Sequence, residues 1–193
     1  MPNEEFISND TVREKLLIAG ITELEKHGIS DFSLRRVASA TNVSCAAPYK
    51  HFKNKEEFVG AIVDYIHSQW LMLSNQIMTI FENDKKKQLV ELCVAYTRFC
   101  MGNSHFRSII NMNTDDVADN IPASKLHITH CITNLIEDYC KHMEMDDHKK
   151  ERMIFRINAL VHSTALVPNC DMNMTNDTSI ALMRDCIEEE LEQ

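Results

Sequence analysis

The sequence predicts an all-α protein, and three observations carry that prediction. Four Gly and four Pro in 193 residues are too few for the many tight turns of an all-β chain. Apolar residues recur at helical spacing, beginning with Val12, Leu16, Leu17, Ala19 and Leu24. Helix-start pairs punctuate the pattern, Thr-x-x-Glu at Thr11 and Glu14 and Asn-x-x-Glu at Asn54 and Glu57. With 44% hydrophobic and 25% charged residues the chain is long enough to bury a core without disulfide or metal staples.

Thr11 is read as the cap of a first helix, which Gly28 closes. Ser33 can cap a short second helix with Leu34, Val37 and Ala38 turned inward. "ATNV" (40–43) breaks the pattern, and Asn42 tolerates the left-handed backbone that a tight connection needs. Ser44 is read as the cap of a third helix from about Cys45 to His51, with Pro48 in its first turn, where a missing N–H costs least. Asn54 then opens a long fourth helix through about Phe81. Further helices are expected near 84–102, 104–112, 123–143, 148–166 and 177–192. The result is a three-helix helix-turn-helix domain of homeodomain-like form over 1–53. A larger helical bundle follows over 54–193.

Net charge is -9, yet it is unevenly placed. Between Ser33 and Lys55 the charged residues are Arg35, Arg36, Lys50, Lys53 and Lys55, with no Asp or Glu among them. A basic island in an acidic chain is the electrostatic footprint of a nucleic-acid contact, although charge runs are more often plain solvated faces. Seven scattered cysteines without a C-x-x-C pair read as reduced, mostly buried thiols. The acidic start "MPNEEFISND" is unlike a signal peptide, and no apolar run is long enough for a bilayer. A cytoplasmic protein with no membrane partner is therefore expected.

Small residues Ser44, Cys45, Ala46 and Ala47 would let the end of the third helix approach bases closely. Tyr49, Lys50, His51, Lys53 and Lys55 offer hydroxyl, imidazole and ammonium donors to phosphates. Residues 11–60, "VREKLLIAGITELEKHGISDFSLRRVASATNVSCAAPYKHFKNKEEF" at their centre, resemble the DNA-binding domain of TetR-family transcriptional regulators. Gly28, Ser33, Val37, Ala38, Val43, Ser44, Tyr49, His51, Phe52, Lys55 and Glu56 occupy the family positions, while Asn42 replaces the usual turn Gly and Thr41 the usual Ala. The resemblance implies that Ser33, Lys55, Tyr49 and His51 bind phosphates and that Cys45, Ala46 and Lys50 face bases. It implies that Arg35 or Arg36 touches the flanking backbone. Tyr49 could instead be a packing residue.

The resemblance further implies a second domain that dimerises and binds a small molecule, with a double-stranded operator as the DNA partner. Its last two helices are the candidates for the homodimer contact, through Met153, Ile157, Leu160 and Val161 and through Ile180, Met183 and Ile187. The same stripes could equally bury an intramolecular core. Trp70, Met72, Met78, Met101, Phe106 and Met112 are candidates to line an apolar ligand pocket, since Met adapts to loosely specified ligands. No cofactor or metal is expected, although His127, His130 and Cys131 share i, i+3, i+4 spacing and Cys93 and Cys100 share a helix face. The expected function is a ligand-responsive dimeric regulator, most often a repressor in this family. Alternatives are a regulator whose second domain senses metal or thiol oxidation or binds a protein. An enzyme is disfavoured, for G-x-x-x-x-G-K-[ST], G-x-S-x-G and H-E-x-x-H are all absent.

Overall fold

The computed structural model describes the backbone of residues 4–103, 123–166 and 175–192, and side chains within 12–103, 130–165 and 175–192. Every described element is a helix: α1 (Glu4–His27), α2 (Leu34–Ala40), α3 (Ala47–His51), α4 (Lys55–Ile80), α5 (Lys85–Gly102), α6 (Ala123–His142), α7 (Asp147–Leu166) and α8 (Asn176–Glu190). The helix expected over 104–112 lies outside the described residues, as do Phe106 and Met112. Among the described residues no helix is long and apolar enough to cross a membrane.

The described chain divides into two compact units, one running to Ser68 and the other starting at Gln69, a division that falls inside α4. In the first unit α1 packs on α2 and α3. Leu16, Leu17, Leu24, Val37, Ala38, Phe58 and Ile62 are all buried to 2% exposure or less. Each such Leu, Ile or Phe contributes about 1.5–3 kcal/mol relative to an exposed one. Phe52 meets Phe58 edge-on at 4.4 Å, and Phe32 lies 5.6 Å from Phe58. Gly20 of α1 sits against this aromatic cluster, and a Cβ there would overlap the Phe58 ring.

Two helix starts differ from the sequence reading. Thr11 lies inside α1, which begins at Glu4, because nothing in residues 4–10 is a proline or glycine that would stop it. Helix α3 begins at Ala47, not Cys45, and Ser44 does not cap it. Its cap, Ala46, makes no side-chain bond, and Pro48 stands in the first turn, where no intrahelical partner is lost. The other starts follow the sequence. Ser33 caps α2, accepting from the Arg36 N–H. Asn54 accepts from the Glu57 N–H at 2.8 Å, and Glu57 reaches back to the Lys53 N–H at 3.0 Å. Gly28 closes α1 with φ +67.

In the second unit α5 packs on α7 and α8, and α7 packs on α8. Trp70 is fully buried there, edge-on to Tyr96 at 5.5 Å and 5.6 Å from Phe99. Arg184 of α8 forks onto Glu91 of α5 with bonds of 2.6 and 2.9 Å, and Arg156 of α7 bonds Glu190 of α8 at 2.6 Å.

Candidate nucleic-acid interface

The geometry of the reading head begins at the α2 C-terminus. Asn42 adopts φ 56, the Val43 N–H donates to Ala38 O at 3.1 Å, and the Asn42 N–H donates to Ser39 O at 3.2 Å. This is a Schellman closure with Asn in the left-handed position usually held by Gly. It starts the turn of six residues, Thr41 to Ala46, after which α3 follows α2 as in a helix-turn-helix. Thr41 ties its hydroxyl to Val37 O and Ala38 O at 3.1 Å, so the substitution for Ala adds a cap rather than a buried orphan.

From the turn onward the surface is open. Ser44, Cys45 and Ala46 are exposed, Ala47 is half-buried and Pro48 is buried. Tyr49 is 60% exposed, which removes the packing role weighed for it. Lys50 and Lys53 are exposed and His51 is half-buried beside Phe52. These side chains stand together at α3, the small ones before the helix and the donors along it. Arg35 is exposed as well.

Two cations expected on this face have partners inside the unit. Arg36 donates through Nε to Glu23 at 2.7 Å and through its terminal nitrogen to Asp31 O. Lys55 donates to Ser30 O at 3.2 Å, clasping the α1–α2 connection. Glu23 also accepts from the Ser33 N–H at 3.1 Å and lies 3.8 Å from His27. Burial alone would raise the Glu23 carboxyl, but Arg36, the Ser33 N–H and His27 outweigh it and hold it below the usual carboxylate range. Arg13 escaped the sequence reading. It lies 5.3 Å above the Phe52 ring, a cation–π contact that adds a positive charge beside the end of α3. No local spacing could have signalled it, because the contact joins α1 to a residue far along the chain.

The second unit arranges its candidates differently from the sequence reading. Met153, Ile157, Val161, Ile180, Met183 and Ile187 are 0–5% exposed within one chain, so they form its core and have no surface to offer a second copy. Leu160 alone of that set is half-buried. It borders an outward groove of about 530 Å³ with Phe155, Ala159, Ser163 and Cys186. Phe155 is 74% exposed, and Leu182, one turn before Cys186, is 48% exposed. Met72 is 68% exposed and stands apart from the buried Trp70, while Met78 and Met101 are half-buried. The His127 side chain lies outside the described residues. Among the described residues no three His, Cys, Asp or Glu side chains are placed to hold a metal. Cys93 and Cys100 are fully buried. Burial pushes the Cys93 thiol well above its ordinary range and Cys131 up to about 12, which makes both poor nucleophiles.

Residues 16–62 match the model of the bacterial regulatory proteins of the tetR family. That segment spans α1 from Leu16, the turn, α3 and the start of α4. Over that segment the chain is similar to the TetR family. Solved structures share the fold along nearly the whole length. A TetR/AcrR-family transcriptional regulator from Thermobifida fusca superposes with TM-score 0.67 at 16% identity, over 92% of this chain and 97% of that one. PfmR, a TetR-family regulator from Thermus thermophilus, gives 0.64 at 16% identity, over 92% and 97%. AibR, solved in complex with isovaleryl coenzyme A and operator DNA, gives 0.67 at 13% identity, over 91% and 97%. No curated protein sequence matches the chain at a significant level. The matched segment is thus similar to that of bacterial regulatory proteins.

Proposed function

We propose that this chain is a cytoplasmic homodimeric repressor of the TetR family, released from a double-stranded operator by a small apolar or amphipathic molecule. The observation that carries the DNA-contact assignment is the exposed pair Tyr49 and Lys50 on α3, directly after the small exposed residues Ser44, Cys45 and Ala46. Small residues let the α3 start approach base edges, while Tyr49, Lys50 and His51 supply donors to phosphates. Arg35, Lys53 and Arg13 extend the basic surface. Lys55 and Arg36 serve by holding the head in shape, through Ser30 and Glu23. The effector acts in the second unit. Helix α4 belongs to both units, so a ligand that favours one arrangement of α4 changes operator affinity by its own differential affinity and no more. AibR is the example in which an acyl coenzyme A and an operator meet one protein of this fold.

The test is fluorescence anisotropy of the full chain on DNA from upstream of its own gene, scanned over salt. Tight binding with a steep negative salt slope, abolished in a Tyr49→Ala, Lys50→Ala variant of unchanged helicity, is the expected result. Folded protein that binds neither that DNA nor a random pool at low salt would sink the assignment.

A further inference from the structure

Among its described residues the second unit contains a buried acceptor without a donor. Asn158 of α7 donates through Nδ2 to the Thr133 hydroxyl of α6 at 3.0 Å. Its Oδ1 is buried and meets no donor among the described residues. A buried carbonyl without a donor forfeits its hydration and gains nothing in exchange, so its presence asks for a reason. One turn further along α7, His162 Nδ1 lies 2.9 Å from the Asn158 backbone oxygen, and its ring lies 6.1 Å from that of Tyr96. Tyr96 in turn stands against Trp70, whose indole N–H bonds the sulfur of Cys131, two residues before Thr133. A line of polar groups therefore runs beside an aromatic wall. None of Trp70, Tyr96, Phe99, Cys131, Thr133, Asn158 and His162 is an acid, a lysine or an arginine.

We propose that Asn158 Oδ1 is the polar anchor of the effector site, accepting a hydrogen bond from a hydroxyl or N–H on an otherwise apolar, uncharged ligand. The assignment rests on the effector reading above and narrows it. Apolar ligand surface lies on Trp70, Tyr96 and Phe99, and the single donor selects among ligands of the same shape. A site that must pair a buried polar group discriminates strongly against the analogue that lacks the matching group. A carboxylate is refused, because it would bring a second acceptor to Oδ1 and find no lysine or arginine among these seven side chains.

The chain contains one tryptophan, so Trp70 fluorescence reports on this neighbourhood alone. The full-length protein is titrated with octanol, with methyl heptyl ether, which has the same length without a donor, and with octanoate. Octanol should bind about tenfold more tightly than the ether, the worth of one buried hydrogen bond, and octanoate most weakly. Asn158→Leu should erase the octanol advantage while keeping the ether affinity. Thr133→Val, which frees Nδ2 and lets the amide reorient, should reduce it. If Asn158→Leu fails to fold, the comparison of octanol with ether on the wild type still decides. Equal affinity for those two overturns the anchor and leaves the effector reading intact. Tighter binding of octanoate, or no binding of any of the three, overturns the anchor and the uncharged ligand class together. Operator anisotropy on the same sample reads the regulator assignment separately.

Discussion

Arg36 and Arg35 are neighbours in sequence with opposite fates. Arg36 crosses to Glu23, which is only 7% exposed, while Arg35 stays in solvent. Their substitutions should therefore separate. Arg35→Ala should lower the salt slope of operator binding by about 0.9, one phosphate's share, and leave stability unchanged. Arg36→Ala should lower stability and leave the slope alone. Glu23 adds a pH signature. Its pKa is depressed on folding, so its stabilisation is present above the unfolded carboxylate pKa and is lost as pH falls through the lower folded value. Glu23→Gln should cost about 1–2 kcal/mol at neutral pH and flatten the acid limb of stability against pH. Urea melts across that limb would show this, and parallel wild-type and variant curves would refute it.

At the scale of elements, the caps that rest on local chemistry were legible in the sequence. Ser33, Gly28, Asn42 and the Asn54–Glu57 pair each act within a few residues, so their spacing alone predicts the bond. The starts of α1 and α3 were misread because a cap signal says where a helix can begin, not that nothing earlier competes. Thr11 was overrun from upstream, and Ser44 lost to the position that Pro48 imposes. The stripes of α7 and α8 were legible as apolar faces, but periodicity does not say what covers them, and here the chain covers its own. Arg13 over Phe52 and Asn158 beside Thr133 join distant segments, so no spacing rule reaches them. Packing of α1 on α4 also rests on such a contact. Gly20→Ala forces a methyl into the Phe58 ring and should cost about 1–3 kcal/mol, read as a lower midpoint in thermal unfolding. An unchanged midpoint would mean that the two helices sit further apart.

For the whole molecule, the proposed homodimer needs a surface other than the predicted residues, which are already in the core. The remaining apolar face of α7 and α8 carries Phe155, Ala159, Leu160, Leu182 and Cys186, and an exposed patch of that kind marks an interaction surface. A two-fold dimer makes each patch its own partner, so Phe155 would enter the groove beside Leu160 and Ser163 of the second copy. A two-fold dimer also matches a palindromic operator, where binding of one head raises the effective concentration of the other. Phe155→Glu puts two carboxylates into that contact, where the cation of the groove lining, Arg156, is already bonded to Glu190. Because Phe155 is exposed in the single chain, the substitution should leave the fold and its helicity unchanged. Analytical ultracentrifugation should then find a folded monomer, and operator affinity should fall about a hundredfold while each head keeps its own contacts. A variant that remains dimeric would move the interface elsewhere. A monomer with wild-type operator affinity would show instead that one head suffices for binding, and the two-fold operator would lose its rationale.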